Sequence, residues 1–353
     1  MQDKIPGPPP RGFCCDLAPA TEATISTRRL LIFTGKGGCG KSALASAMAL
    51  DAARNGRRVL LVEAALRGDH PGRLHALFGV PPLPSDPVRL ERGLWGVRIE
   101  AEAALRSYVL RRVRFEALYR AVFDRPSVRR TVAFFPGLRE LMVLWQLRAF
   151  EQEERKNRPR FDLIVFDAPS TGLVLFLLQL PQVVVQILKT GVFARDAADI
   201  YALLADPSRT QILIATLPEE LPVLEARDLW QRLQSLPSPA SAGIVVNGLL
   251  GGIRDVGPLP GPRSARLRTD PALSAIEGAA GAEAMRAVLH ANRILLRKQD
   301  SFARHLGTLA STRAPIWTLP FITPEAGNEA ALTPLLAEAL RAAGLDAAIE
   351  APA

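Results

Sequence analysis

Cysteine, lysine and long apolar runs are all scarce in this chain, and each scarcity excludes something. The cysteines are Cys14, Cys15 and Cys39, an odd number with no C-x-x-C spacing. That excludes a disulfide framework and a self-contained four-cysteine zinc site, and it points to a reducing, cytoplasmic compartment. Lysine occurs only at positions 4, 36, 41, 156, 189 and 298, so arginine carries nearly all of the positive charge. Those arginines are scattered along the chain and not interleaved with aromatics on one element, which argues against nucleic acid as a partner. The longest apolar run, Leu173 to Leu188, falls short of the roughly 20 residues that span a bilayer. It is also interrupted by Gln179, Pro181, Gln182 and Gln186, and reads as a buried or groove-lining helix. Met1 to Ser26 is rich in Pro, Gly and Ala, lacks the apolar core of a secretory signal, and reads as a tail.

What remains is ample for folding. With 353 residues, 48% of them hydrophobic and 22% charged, the chain can bury a large core. Its net charge of +9 leaves open a peripheral position at an anionic membrane, or an acidic partner.

The scarcity of lysine makes one stretch conspicuous. Two of the six lysines fall in the eight residues Gly35-Lys36-Gly37-Gly38-Cys39-Gly40-Lys41-Ser42. This stretch follows the apolar run Leu30 to Phe33 and precedes the helix-forming run Ala43 to Arg54. Strand, glycine-rich turn and helix in that order bring successive backbone N–H groups and a helix N-terminus onto one anion. The spacing satisfies the phosphate-binding P-loop pattern, with Lys41 placed for the β/γ-phosphates and the Ser42 hydroxyl for Mg²⁺. Where arginine is the default cation, a lysine marks a need for a compact ammonium.

Downstream, strands are predicted at Arg57 to Glu63, Leu94 to Ile99, Phe161 to Asp167, Thr210 to Thr216, Ala242 to Asn247 and Ile316 to Leu319. Helical spacing is predicted over Ala101 to Glu154, from about Leu221 to Leu236, from about Pro271 to Leu309, and near Ala330 to Ala343. A helix turn is predicted within Gly72 to Gly79, and loops at Pro81 to Pro84 and Gly251 to Pro271. Strands alternating with helices predict an α/β fold with a doubly wound, mostly parallel sheet carrying an inserted helical block.

Three segments then carry a family resemblance. Lys36, ahead of the glycines, resembles the signature lysine of the deviant P-loop in the Min, partitioning and nitrogenase-iron-protein (SIMIBI) class of ATPases. FDLIVFDAPSTGLVLFLLQLP (Phe161 to Pro181) looks like the strand, switch II and following helix of the arsenical pump-driving (ArsA-like) ATPase family. That family also contains the targeting factor for tail-anchored membrane proteins. TLPEELPVLEARDL (Thr216 to Leu229) and GIVVNGLL (Gly243 to Leu250) are similar to later blocks of the same family.

The resemblance implies an ATP/ADP site in which Gly35, Gly37, Gly38, Cys39, Gly40, Lys41, Ser42 and Ala43 wrap the phosphates. Ser42 and Asp167 would hold Mg²⁺ and its water shell, and the Gly172 N–H would sense the γ-phosphate. Asn247 would read adenine, with the backbone near Pro320 and Phe321 closing the base pocket. Lys36 would reach a partner protomer's phosphates across a dimer interface. Residues 28–345 would form one P-loop ATPase domain, with the helical insertion at about 101–154, a second variable region at about 251–310, and tails at 1–27 and 346–353.

One departure bears on catalysis. The family's switch I carries an aspartate shortly after the second strand, where it orients the attacking water. Counting forward from the strand puts Ala65 there; counting back from Phe78-Gly79 puts Asp69 there. The metalloid-binding cysteines of arsenite pumps and the zinc-clamping C-x-x-C of the eukaryotic targeting factor have no counterpart. The implied function is a dimeric ATPase whose nucleotide state is coupled to a hydrophobic client or membrane partner. Its rival is a weakly hydrolysing regulatory subunit, paired as a heterodimer with a catalytic paralogue. Leu141, Met142, Leu144, Trp145 and Leu147 read equally as groove lining or as ordinary core.

Overall fold

Each short, β-branched-rich run becomes a strand buried on both faces, as a parallel sheet demands. The computed structural model describes residues 28–66, 72–113, 137–236, 242–249, 301, 304–322 and 331–345. Its strands are β1 (Leu30–Gly35), β2 (Val59–Ala65), β3 (Val88–Glu91), β4 (Leu94–Glu100), a small hairpin of β5 (Glu154–Arg155) and β6 (Arg158–Pro159), β7 (Leu163–Asp167), β8 (Thr210–Thr216), β9 (Ala242–Leu249) and β10 (Ile316–Pro320). Eight of them form one sheet in the order β10-β9-β8-β1-β7-β2-β4-β3. Every pair is parallel except β3–β4.

The helices are α1 (Lys41–Arg54), α2 (Leu74–Leu77), α3 (Ala101–Val113), α4 (Leu138–Gln152), α5 (Thr171–Leu188), α6 (Val192–Ala205), α7 (Glu220–Gln234) and α8 (Leu332–Ala342). Alternation along β1 divides them between two faces. Leu30 and Ile32 pack with residues of α3 through α7, while Leu31 and Phe33 pack with α1 and α8. Three elements escape the sequence reading: β3, the β5–β6 hairpin and α6. The buried positions of α6, Ala194, Ala197, Ile200, Leu203 and Leu204, follow a helical period whose first two members are alanines.

The helical block resolves toward core. Leu141, Met142, Leu144, Trp145 and Leu147 are all buried in the sheet-facing cluster. Tyr108 of α3 meets the Trp145 ring edge-on at 4.9 Å and Phe193 of α6 at 5.0 Å, and its hydroxyl donates to Asp196 at 2.7 Å. By contrast, α5, expected as a buried or groove-lining helix, is buried along only part of its length. Val174, Leu177, Leu178, Leu180 and Pro181 are buried, whereas Phe176 and, toward the end of the helix, Val183, Ile187 and Leu188 are exposed. By length and composition alone, α5 is apolar enough to cross a membrane.

One ion pair pins α8 onto α1. Asp51 is 1% exposed and accepts from Arg341 Nε at 2.6 Å and from Asn55 Nδ2 at 3.3 Å. Arg341→Met takes the arginine charge from that buried carboxylate and is expected to lower unfolding free energy by about 3 kcal/mol. A urea melt would read this as a lower midpoint at unchanged slope. A midpoint equal to that of the unmutated chain would mean that the pair holds nothing together.

Candidate nucleotide site

The loop between β1 and α1 lies at the carboxyl end of the central strand, where open α/β sheets bind ligands. Its glycines serve different needs. Gly35 (φ +143°) pairs with Ala215 of β8, and a Cβ there would fall 2.1 Å from the Ala215 carbonyl oxygen. Gly40 adopts the left-handed conformation (φ 83°, ψ 19°) that opens α1. Gly37 and Gly38 are exposed, and added Cβ atoms there would meet nothing within 4 Å, so an anion can approach their backbone. The first turn of α1 carries no acidic residue and no side-chain cap, so its N–H groups are available. Lys41 folds over the loop, Nζ donating to the Lys36 carbonyl at 3.0 Å, and Ala43 lies half-buried in the same first turn.

Opposite the loop, β7 delivers Asp167 to Ser42, whose hydroxyl donates to Oδ2 at 2.6 Å. The other carboxylate oxygen, Oδ1, is buried without a partner. Burial pushes this carboxyl up to about 6, and the neighbouring Glu63 charge adds to the rise, against the Ser42 hydrogen bond and the Lys41 and Arg73 charges. A hydroxyl beside an unsatisfied carboxylate oxygen is a hard oxygen donor set, and it fits Mg²⁺. The Thr34 hydroxyl donates to the Pro169 carbonyl at 3.1 Å and Ala168 N–H to the Phe33 carbonyl at 2.9 Å, tying the segment after Asp167 to β1. Gly172 is the second residue of α5 and exposed, so its N–H has no intrahelical acceptor.

The remaining expected residues are distributed around this pole. Lys36 Nζ is paired with Glu225 Oε1 of α7 at 2.8 Å, within its own chain. A cavity of about 420 Å³ beside that pair is lined by the loop, Leu217 and Leu221. Cys39 is buried, and its thiol is pushed up by that burial. Asn247, at the end of β9, donates Nδ2 to the Cys39 carbonyl at 3.2 Å, and a Cβ on Gly40 would sit 2.5 Å from that nitrogen. Asn247 therefore buttresses the loop. Pro320 ends β10, and the Phe321 N–H donates to the Leu249 carbonyl at 2.8 Å, which brings the exposed Phe321 ring beside Gly248. Ala65, the gapless switch I position, ends β2 with only a methyl group to offer. Asp69 and His70 lie outside the described residues.

A phosphate-cradling loop between the central strand and its helix, with a Ser–Asp pair delivered by the adjacent parallel strand, defines the P-loop nucleoside-triphosphatase fold. Residues 28–197 match the model of the anion-transporting ATPase family, and over those residues the chain is ArsA-like. It is 34% identical over 227 residues to ATPase BagA of Mycobacterium tuberculosis, an alignment covering 63% of this chain and 65% of that protein. It is 30% identical over 246 residues to a Halobacterium salinarum protein provisionally named an arsenical pump-driving ATPase, covering 64% of this chain and 36% of that one. To ATPase ARSA1 of Chlamydomonas reinhardtii it is 26% identical over 317 residues, 71% of this chain and 38% of the relative. The chain thus spans less than two thirds of the length of these relatives.

Proposed function

We propose that this chain binds ATP with Mg²⁺ at residues 35–43 and hydrolyses it, as one nucleotide-binding unit over residues 28–345. The observation that carries the reading is the Ser42–Asp167 pair with its unspent buried oxygen, facing a loop whose glycines leave backbone N–H groups open. Bound there, Mg²⁺ would neutralise phosphate charge in the transition state. Lys41 holds the β/γ-phosphates, the Gly172 N–H reads the γ-phosphate, and Asn247, Pro320 and Phe321 flank the base. Asp69 orients the attacking water. Below about pH 6 the protonated Asp167 no longer serves as a ligand, so cation binding weakens as pH falls.

The working form is a dimer, in which Lys36 leaves Glu225 for the partner's phosphates. That exchange is inexpensive, because the Lys36–Glu225 pair is substantially exposed. Coupling of nucleotide state to a client or membrane partner follows if that partner favours one arrangement over the other. The exposed second half of α5 supplies an apolar face of the right chemistry for such a client. The Halobacterium salinarum relative is named for an arsenical pump, but the thiol of Cys39 is buried within the loop and offers no metalloid ligand.

A regulatory subunit paired with a catalytic paralogue is favoured instead by one observation, the methyl group of Ala65 at the gapless switch I position. ATP turnover of the purified chain distinguishes the two. Asp69→Asn is expected to cut turnover by about 100-fold. Robust turnover in Asp69→Asn removes Asp69 from the mechanism. Turnover that appears only with the paralogue establishes the regulatory reading.

A further inference from the structure

The rim of the Ser42–Asp167 pole carries a second cation besides Lys41. Glu63 of β2 lies opposite Asp167 of β7 in the parallel register, so their side chains share one face of the sheet. The Glu63 carboxylate is turned to the chain entering α2: Oε1 accepts the Arg73 N–H at 2.7 Å. Oε2 occupies the space where a Cβ on Gly72 would fall, 2.0 Å away, and Gly72 sits at φ +84°. Glycine at 72 is therefore required twice, by the backbone conformation and by the closeness of Glu63. The result is that the Arg73 backbone is held one carboxylate away from Asp167.

The Arg73 side chain is exposed and has no hydrogen bond or ion pair among the described residues. Its charge lies on the Asp167 side of the site, where with that of Lys41 it opposes the rise that burial gives the Asp167 carboxyl. Lys36, in contrast, is paired with Glu225 and is assigned above to the partner's phosphates. A planar guanidinium is suited to fork onto phosphate oxygens, and here it would give up no existing partner to do so. In P-loop sites the metal pole lies between the β- and γ-phosphates, so a cation on the Asp167 side meets the terminal phosphate.

We propose that Arg73 binds the γ-phosphate of the nucleotide and that Glu63 is the positioning residue that holds it at the site. This rests on the ATP-binding reading above, and the test separates the two. Affinities for Mg·ATP and Mg·ADP are measured on the full chain by displacement of a fluorescent nucleotide, with thermal melting as the folding control. Arg73→Ala is expected to weaken ATP by about tenfold or more and ADP by less than about twofold. Arg73→Lys recovers part of the loss. Glu63→Gln, which keeps an acceptor for the Arg73 N–H, retains the ATP preference, whereas Glu63→Ala loses it in the same selective way. Equal losses for ATP and ADP, or no loss in Arg73→Ala, overturn this assignment while leaving the ATP site intact. Wild-type protein that binds neither nucleotide overturns both.

Discussion

Lys41→Ala is expected to reduce ATP affinity by about 100-fold or more, or ~2.7 kcal/mol, in calorimetric titration. The ammonium is placed by the loop itself: Gly40 turns the chain left-handed into α1, and Lys41 then folds back to the Lys36 carbonyl at 3.0 Å. Its loss removes the point charge at the centre of the phosphate cradle. It removes only one internal hydrogen bond, and alanine at the first helical position is a better helix former than lysine. The melting temperature is therefore expected to stay within a few degrees of wild type, so a binding defect cannot be blamed on unfolding. Lys41→Arg is expected to bind nearly as poorly, because the guanidinium fork does not fit a cradle built for a compact charge.

Glu151→Leu is expected to have the largest effect on stability, lowering it by about 3 kcal/mol or more at neutral pH. Glu151 is 7% exposed at the end of α4 and receives Arg29 Nε at 3.3 Å, Arg209 Nη2 at 2.8 Å and Arg148 Nη1. Arg29 also donates to the Glu151 carbonyl at 2.8 Å and to the Phe161 carbonyl at 3.0 Å, so the cluster joins α4 to the entries of β1, β7 and β8. Without the carboxylate, three guanidinium groups face one another with nothing between them. Burial pushes the Glu151 carboxyl up, but the Arg209 hydrogen bond and the charges of Arg209, Arg148 and Arg29 outweigh it and hold the carboxyl below its ordinary value. The folded state then binds fewer protons than the unfolded one. Its contribution is full above the ordinary carboxylate pKa and is lost as pH falls through the lowered one. Urea melts should show the gap between wild type and Glu151→Leu narrowing below about pH 4.5. A gap that stays constant with pH would assign the loss to packing and not to charge.

These two sites differ in how visible they were from sequence. The Lys41 loop is a local object, with strand, glycines and helix contiguous, so its chemistry could be read from spacing. The strand ending in Asp167 was legible for the same reason, and the alternation of strands and helices gave the parallel sheet. The Glu151 cluster depends on Arg29, Arg148 and Arg209 approaching from separate elements, and no periodicity announces that. The pairings Glu63 to Arg73 and Lys36 to Glu225 were hidden in the same way. Helix α6 was missed because its buried face opens on the small Ala194 and Ala197, and β3 because Val88 and Arg89 are exposed at the sheet edge and follow a proline-rich stretch. The hairpin turn at Lys156 and Asn157 has positive φ at both residues, a geometry that Asn hints at and Lys does not. Trp145 and Met142 looked alike as groove or core, since a helical stripe has the same period in either case; the cluster around Tyr108 makes them core.

The central claim is that the loop at 35–43 and Asp167 together make one Mg²⁺-dependent ATP site. The most direct measurement is calorimetric titration of the full chain with ATP, in Mg²⁺ and again in excess chelator. One ATP bound per chain, with affinity falling about tenfold or more when the metal is withdrawn and again in Asp167→Asn with metal present, is the expected result. Tight ATP binding that ignores both Mg²⁺ and Asp167→Asn, or no binding under either condition, would contradict it.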